Sequence, residues 1–310
     1  MQNKLHISVS PHIRTPRTTA GIMLDVLIAL VPASVAGCII FGIRSLLVLA
    51  ITTVAAVLSE YLFCLITKRE NTVSDFSAAV TGLLLGLNLP ANVPIWQAVV
   101  GSVFAVICVK CLFGGIGKNF ANPAITARIF MLTAFGNMAK VAMPTVVDTV
   151  SEATPLELLA SGGEKISTLD LFLGVRGGAI GETCVLALLI GAVYLIVRRV
   201  VNPAAPVALI LTTFLFSLAL EGGDMLVALQ WTLSGGLILG AFFMATDYST
   251  TPVTTLGKAV FGVGSGIITV LIRFFGTYPE GVSFAILFMN ILTPYIDKFT
   301  ERRPFGGDVK

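Results

Sequence analysis

Apolar stretches recur from end to end of this chain, and most approach the twenty or so residues of helix that cross a hydrocarbon core of ~30 Å. The candidates are residues 21–43, 46–67, 77–89, 95–113, 119–135, 181–197, 203–220, 233–246, 258–275 and 281–297. Only 12% of the 310 residues are charged, where a soluble domain carries about 25%, so the apolar surplus must face lipid. The expected fold class is therefore an all-α membrane protein with about ten transmembrane helices. Twenty Lys and Arg against 17 Asp and Glu leave a formal charge of +3, too small an excess to point to nucleic acid. Five cysteines form no disulfide framework.

Two of the segments, 77–89 and 233–246, are short and glycine-rich, which predicts broken or re-entrant helices. They also match each other. Gly82-Leu83-Leu84-Leu85-Gly86 recurs as Gly236-Leu237-Ile238-Leu239-Gly240, and Phe113-Gly114 recurs as Phe275-Gly276 after the following helix. Duplicating a unit with an odd number of spans inverts it in the membrane, so two inverted five-helix repeats are expected, residues 21–135 and 181–297. Paired interrupted segments point to a polar site near the midplane, because their freed amides and carbonyls can bind a guest.

Positive charge resists translocation, and this sets the orientation. With a cytoplasmic N-terminus the inside set is Lys4, Arg14, Arg17, Lys68, Arg69, Lys110, Lys118, Arg198, Arg199, Lys258, Lys298, Arg302, Arg303 and Lys310. The outside set is Arg44, Lys140, Lys165, Arg176 and Arg273. Both termini, residues 1–20 and 298–310, are expected in the cytoplasm, and the polar stretch 136–180 outside. The N-terminal segment does not read as a cleaved leader, because the apolar run continues past any cleavage site. Val35-Ala36-Gly37-Cys38 has the pattern of a lipoprotein processing site, but it is read as part of the first membrane helix.

Several residues carry candidate chemistry. Thr154-Pro155 with Glu157 reads as a helix start, a threonine N-cap followed by proline at the first helical position. Asn119 or Asn122 is expected to cap the next membrane helix ahead of Pro123, after a tight turn at Gly114–Lys118. That turn lacks the glycine and the Ser or Thr that a nucleotide-binding P-loop requires. Asp25, Glu60 and Arg128 fall in or near apolar segments, where a central charge costs about 2.5–3.5 kcal/mol and so needs protein, water or a partner. Asp25, Glu60 and Asp247, which closes the second interrupted segment, are candidates for an ion path. Cys108 and Cys111 share a helix face, but one pair cannot complete a four-thiolate metal site.

Asp148-Thr149-Val150-Ser151-Glu152-Ala153-Thr154 resembles the flavin attachment signature of the membrane subunits of Rnf complexes and of the related sodium-pumping NADH:quinone oxidoreductase. Ser10-Pro11-His12-Ile13, the run from Gly114 to Ala124, and Phe243-Met244-Ala245-Thr246-Asp247 are likewise similar to the Rnf D subunits. The resemblance spans most of the chain, and the short polar N-terminus favours that branch over the quinone reductase relative. It implies FMN joined through its phosphate to the hydroxyl of Thr154, with Asp148, Ser151 and Ala153 as the recognised context. Glu152 departs from the usual glycine of the signature and would repel a phosphate.

Arg128 is a candidate contact for the flavin phosphate or ring carbonyl. A noncovalent riboflavin is a possible second cofactor by the same resemblance. So are partners: other membrane and peripheral subunits of the complex, including its flavin-bearing G subunit and iron-sulfur subunits, and a flavin transferase for maturation. The implied place is the bacterial cytoplasmic membrane, with multiple crossings. The implied activity is electron carriage between ferredoxin and NAD while Na+ or H+ crosses, and little NAD oxidoreductase activity in the isolated chain. The rival class is a secondary transporter or channel without redox chemistry, which the paired interrupted helices alone would equally support.

Overall fold

The computed structural model describes residues 17–135, 154–161, 167–174, 176–276 and 280–301. Every regular element among them is helical. The chain opens with α1 (Thr19–Phe41), α2 (Ile43–Thr67), α3 (Ser77–Leu87), α4 (Ile95–Val103, continued by π-helical turns over Phe104–Cys111) and α5 (Pro123–Ala134). Two one-and-a-half-turn helices follow, α6 (Pro155–Ala160) and α7 (Thr168–Leu173). The remainder comprises α8 (Val185–Val197), α9 (Ala204–Leu220), α10 (Met225–Leu233), α11 (Leu237–Leu239, running into a π-helical turn over Gly240–Met244), α12 (Thr255–Phe275) and α13 (Val282–Thr300).

Helices α1, α2, α12 and α13 are long and apolar enough to cross a membrane unaided. The α10–α11 pair adds a fifth crossing only as a broken element, bent by 64°. Apolar helices Ser77–Leu87, Ile95–Cys111, Pro123–Ala134, Val185–Val197 and Ala204–Leu220 fall short of that length. An eleven-residue helix such as α3 rises only ~16 Å, about half the hydrocarbon thickness. The two glycine-rich segments are thus short and broken, as their composition predicts.

Local signals account for the helix ends. Thr18 caps α1 by accepting from the Gly21 amide at 3.1 Å. A single residue, Gly42 at φ 75°, joins α1 to α2, and Ser45 Oγ ties the corner by donating to the carbonyls of Gly37 and Gly42. Cys38 lies inside α1. Asn122 caps α5 with bonds from the Ala124 and Ile125 amides, and Pro123 occupies the first turn. The turn before it carries Gly114, Gly115 and Gly117 at positive φ, as the tight turn requires.

Arg17 donates to the Arg198 and Arg199 carbonyls, Arg69 to the Cys111 carbonyl and Asn119 to Ser249, so these groups share one end of the bundle. Arg44 meets the Asn92 carbonyl at the opposite end. Without water as a driving force, membrane helices associate through close packing of small residues. A Cβ on Gly262 in α12 would collide with the Ala205 carbonyl oxygen of α9, and one on Gly191 in α8 would collide with that of Ala29 in α1. Large apolar side chains such as Ile66, Val197 and Phe299 point outward.

Gly262→Leu should force α9 and α12 apart at a cost of about 1–3 kcal/mol or more, seen as a fall of several degrees in the unfolding midpoint of the detergent-solubilised protein. Val263→Leu, on the outward side of the same turn, should leave the midpoint unchanged.

Candidate functional site

The two interrupted segments converge on one side chain. Arg128 projects from the buried face of α5, is 9% exposed, and donates through Nη1 to Asn88 Oδ1 just beyond the end of α3. Its Nη2 pairs with Glu182 Oε1 at 2.6 Å and with Glu280. Two carboxylates from distant segments thus face a guanidinium that could not stand alone at this depth.

Backbone pairing delivers Glu182. The Gly181 amide donates to the Leu87 carbonyl at 2.7 Å and the Ile180 amide to the Leu89 carbonyl at 3.0 Å, so the segment before α8 caps the truncated end of α3. Asn88 Nδ2 turns back to the Leu84 carbonyl and lies 3.7 Å from Met244 Sδ of the second interrupted segment.

The break between α10 and α11 frees carbonyls at a half-helix C-terminus, where partial negative charge collects. Two guanidiniums take them. Arg273 of α12 donates to the Trp231 carbonyl at 2.5 Å and the Ser234 carbonyl at 3.0 Å. Arg176 donates through Nη2 to the Leu233 carbonyl at 3.1 Å and the Glu182 carbonyl at 2.8 Å. Gly236 is needed because a Cβ there would sit 2.8 Å from Glu182 Oε1. Gly235, at φ 66°, would bring a Cβ within 2.6 Å of Leu156.

Leu156 ties the break to Thr154. The Thr154 hydroxyl accepts from the Glu157 amide at 3.1 Å, and Glu157 accepts from the Thr154 amide at 2.7 Å, a reciprocal cap at the start of α6. This is the N-cap and first-turn proline that the sequence predicts. Leu156 is 1% exposed against Gly235. Thr154, Arg176, Gly177, Gly178, Glu182 and Glu280 line a cavity of about 10 Å³, room for one water at most. Burial pulls the Arg176 guanidinium down to about 10. Burial likewise pushes the Glu280 carboxyl up to about 7, against the pull of Arg128.

The other predicted residues that the structure describes lie apart from this cluster. Asp148, Ser151 and Ala153 fall outside the described residues. Asp25 accepts from Tyr194 at 2.9 Å and pairs with the exposed Arg198 at 3.2 Å, at the bundle end that carries Arg17. Glu60 is buried and pairs with Lys110 Nζ at 2.7 Å, accepting also from Thr72, while Lys110 donates to Ser77 Oγ. Asp247 accepts from the Ser249 and Thr250 hydroxyls. It lines a cavity of about 80 Å³ together with Lys110, Asn119 and Asn122. Cys111 packs with Ala56, Ala78 and Val106, and no group of three or more His, Cys, Asp or Glu is placed for a metal among the described residues.

The sequence pattern does not single out Lys110, Arg176, Glu182, Arg273 or Glu280. Arg176 and Arg273 count as loop cations in the outside set, yet they are 7% and 4% exposed. The available signal is the position of Glu182 and Arg273 inside apolar runs, and of Glu280 one residue before another.

The chain matches the model of the NQR2, RnfD, RnfE family over residues 6–306. It is 48% identical over 307 residues to the D subunit of the Na(+)-translocating ferredoxin:NAD(+) oxidoreductase complex of Acetobacterium woodii, covering 97% of this chain and 95% of that one. It is 39% identical over 328 residues to the proton-translocating counterpart of Clostridium ljungdahlii, covering 98% and 97%. Identity to the D subunit of an ion-translocating oxidoreductase complex of Escherichia coli is 34% over 344 residues, covering 97% and 98%.

Glu182→Ala strips a buried partner from Arg128 and should cost about 3–5 kcal/mol, read as a lower unfolding midpoint and reduced yield. Glu280 binds its proton more tightly in the folded chain, about 7 against the ordinary 4.5. Its stabilising contribution is therefore present at low pH and lost as pH rises through about 7. The midpoint of the parent protein relative to Glu280→Gln should accordingly fall between pH 5 and 8, and a difference that stays flat would remove Glu280 from the balance.

Proposed function

The chain belongs to the NQR2, RnfD, RnfE family, and from that membership we propose that it is the membrane-embedded flavoprotein, the D subunit, of an ion-translocating ferredoxin:NAD oxidoreductase. It carries electrons through FMN esterified to Thr154 while Na+ or H+ crosses the bilayer. The observation that carries this reading is the placement of Thr154. The one hydroxyl that the attachment motif marks is anchored by Leu156 against the break in α10–α11, beside the buried arginines.

The residues around Thr154 fit an ester. Among the described residues its oxygen serves only as acceptor, toward the Glu157 amide. An ester oxygen keeps a lone pair for that bond, so the cap survives esterification. When bound, FMN supplies one- and two-electron transfer, while the protein contributes position and electrostatics. The adjacent Arg128–Glu182–Glu280 cluster joins both interrupted segments, so a change of charge at the flavin acts on groups that hold the two halves together.

On this reading residues 21–135 and 181–297 are inverted repeats of five crossings each, α1–α5 and α8–α13 with α10–α11 as one. The interrupted element standing third of five in each half, α3 in the first and α10–α11 in the second, supports it. The segment 136–180 then lies outside the bacterial cytoplasmic membrane and both termini inside, in line with the lysine and arginine bias. Other Rnf subunits, among them the flavin-bearing G subunit and iron-sulfur proteins, supply the ferredoxin and NAD steps, and a flavin transferase loads Thr154. Asp247 and the Glu60–Lys110 pair at the opposite end, with Asp25 at its rim, are the acidic groups for ion coupling. A noncovalent riboflavin is proposed as a second cofactor by the same family likeness. A non-redox transporter is disfavoured because Arg176 and Arg273 already hold the carbonyls freed by the break, where a transporter would bind its cargo.

Co-expression with a flavin transferase active on the outer face should give a fluorescent band in denaturing gels and an intact mass of one FMN ester per chain. Thr154→Ala should be dark. A dark parent band beside a fluorescent control flavoprotein would overturn the assignment, and fluorescence retained in Thr154→Ala would move the ester elsewhere.

A further inference from the structure

We propose that Glu182 and Glu280, drawn onto one nitrogen of Arg128, form a binding site for a single proton that exchanges with water on the face of the membrane where Thr154 lies. The site needs no cofactor, so it stands apart from the flavin reading.

Arg128 donates through Nη1 to Asn88, which leaves Nη2 to serve both carboxylates, Glu182 Oε1 at 2.6 Å and Glu280 Oε2. Two carboxylates at one donor repel each other, and a proton shared between them turns that repulsion into a hydrogen bond. Their settings differ. The Glu182 side chain is 3% exposed and that of Glu280 27%, so outside water reaches the pair through Glu280.

A proton carrier has a place beside them. Glu182 and Glu280 line the cavity of about 10 Å³ together with Arg176 and Thr183, and it has room for one water. Arg176 Nη1 and Thr183 Oγ1 are buried there with no hydrogen-bond partner among the described residues. A water held by these two groups stands next to both carboxyls and can pass a proton between the pair and solvent.

The surrounding charges select a proton over a metal cation. Arg128 faces the pair from α5, Arg273 from α12 and Arg176 from the loop before α8, the last two turned to carbonyls. From α6, Glu157 is engaged with the Thr154 amide, and Cys184 borders Arg176. Sodium entering here would be repelled by three guanidiniums, whereas a proton gains a covalent O–H bond. Burial holds the Glu280 carboxyl up near 7, with Arg128 pulling it down and Glu182 pushing it further up. The pair therefore loads and unloads around neutral pH. The step is proton transfer alone: an O–H bond of water or hydronium breaks as one forms at a Glu280 carboxyl oxygen, and no electron moves.

The test uses the full-length protein made without a flavin transferase, so a dark band for Thr154 has no bearing on the outcome. Infrared difference spectra over about pH 5–9 should contain a carboxyl C=O band with a midpoint near 7, clear of ordinary carboxyls, which are ionised by about pH 5. The band should vanish in Glu280→Gln. In Glu182→Gln its proton affinity should fall about tenfold or more, because the like charge is gone and Arg128 is left to Glu280 alone. In sealed vesicles the band should follow pH on the face where the exposed Ser161, as Ser161→Cys, reacts with a membrane-impermeant thiol reagent, and should ignore pH on the other. No band titrating near neutrality in the parent, a midpoint unmoved in Glu182→Gln, or a response only from the opposite face would overturn the proposal. Should the variants not accumulate, the parent's band and its sidedness decide.

Discussion

A guanidinium buried among apolar helices must be matched by opposite charge and hydrogen bonds, and this requirement organises the protein around Arg128. Its partners come from three places far apart in the chain: Asn88 at the end of α3, Glu182 before α8 and Glu280 before α13. Removing any one exposes a charge or a truncated helix end to a medium that cannot solvate it. The same contacts close the end of α3 through the Gly181 amide and bring the backbone at Gly236 against Glu182. Two irregular segments are thus tolerated because each supplies what the other lacks.

The broken α10–α11 element shows the same economy with the sign reversed. Its freed carbonyls need donors, and Arg273 and Arg176 supply them from α12 and from the loop before α8. Leu156 then fills the space left by Gly235, which fastens Thr154 to the break. A cofactor on Thr154 would therefore sit against an element whose geometry depends on charge. That is a physical basis for linking electron transfer to ion movement in a family whose named members are ion-translocating.

Much of this was legible in local sequence because local chemistry decides it. Thr154-Pro155 with Glu157, and Asn122-Pro123, dictate helix starts whatever surrounds them. The glycines at 114, 115 and 117 dictate a turn. Segments 77–89 and 233–246 announce interruption by length and composition. The role of the repeated glycine motif was not legible. Gly82 and Gly86 let α3 lie against Thr52 in α2, whereas Gly236 and Gly240 admit Glu182 and Val282. Identical spacing thus serves unlike contacts. Glu60 was visible as an isolated acid, but its partner Lys110 reads as an end-of-helix cation until the fold buries both.

Amino-acid order alone determined that the chain crosses lipid in several helices, where most of them begin, and which hydroxyl resembles a flavin acceptor. Each of these depends on a run or motif within about twenty neighbouring residues. Only the tertiary structure decided which charges are sheltered and by whom. Arg176 and Arg273 are topological cations on paper and carbonyl-binding donors in the fold, and Glu182 and Glu280 meet at Arg128 from segments about a hundred residues apart. The reason is the solvent: in water a charged side chain needs no particular neighbour, whereas within apolar packing it persists only where folding has brought it a partner.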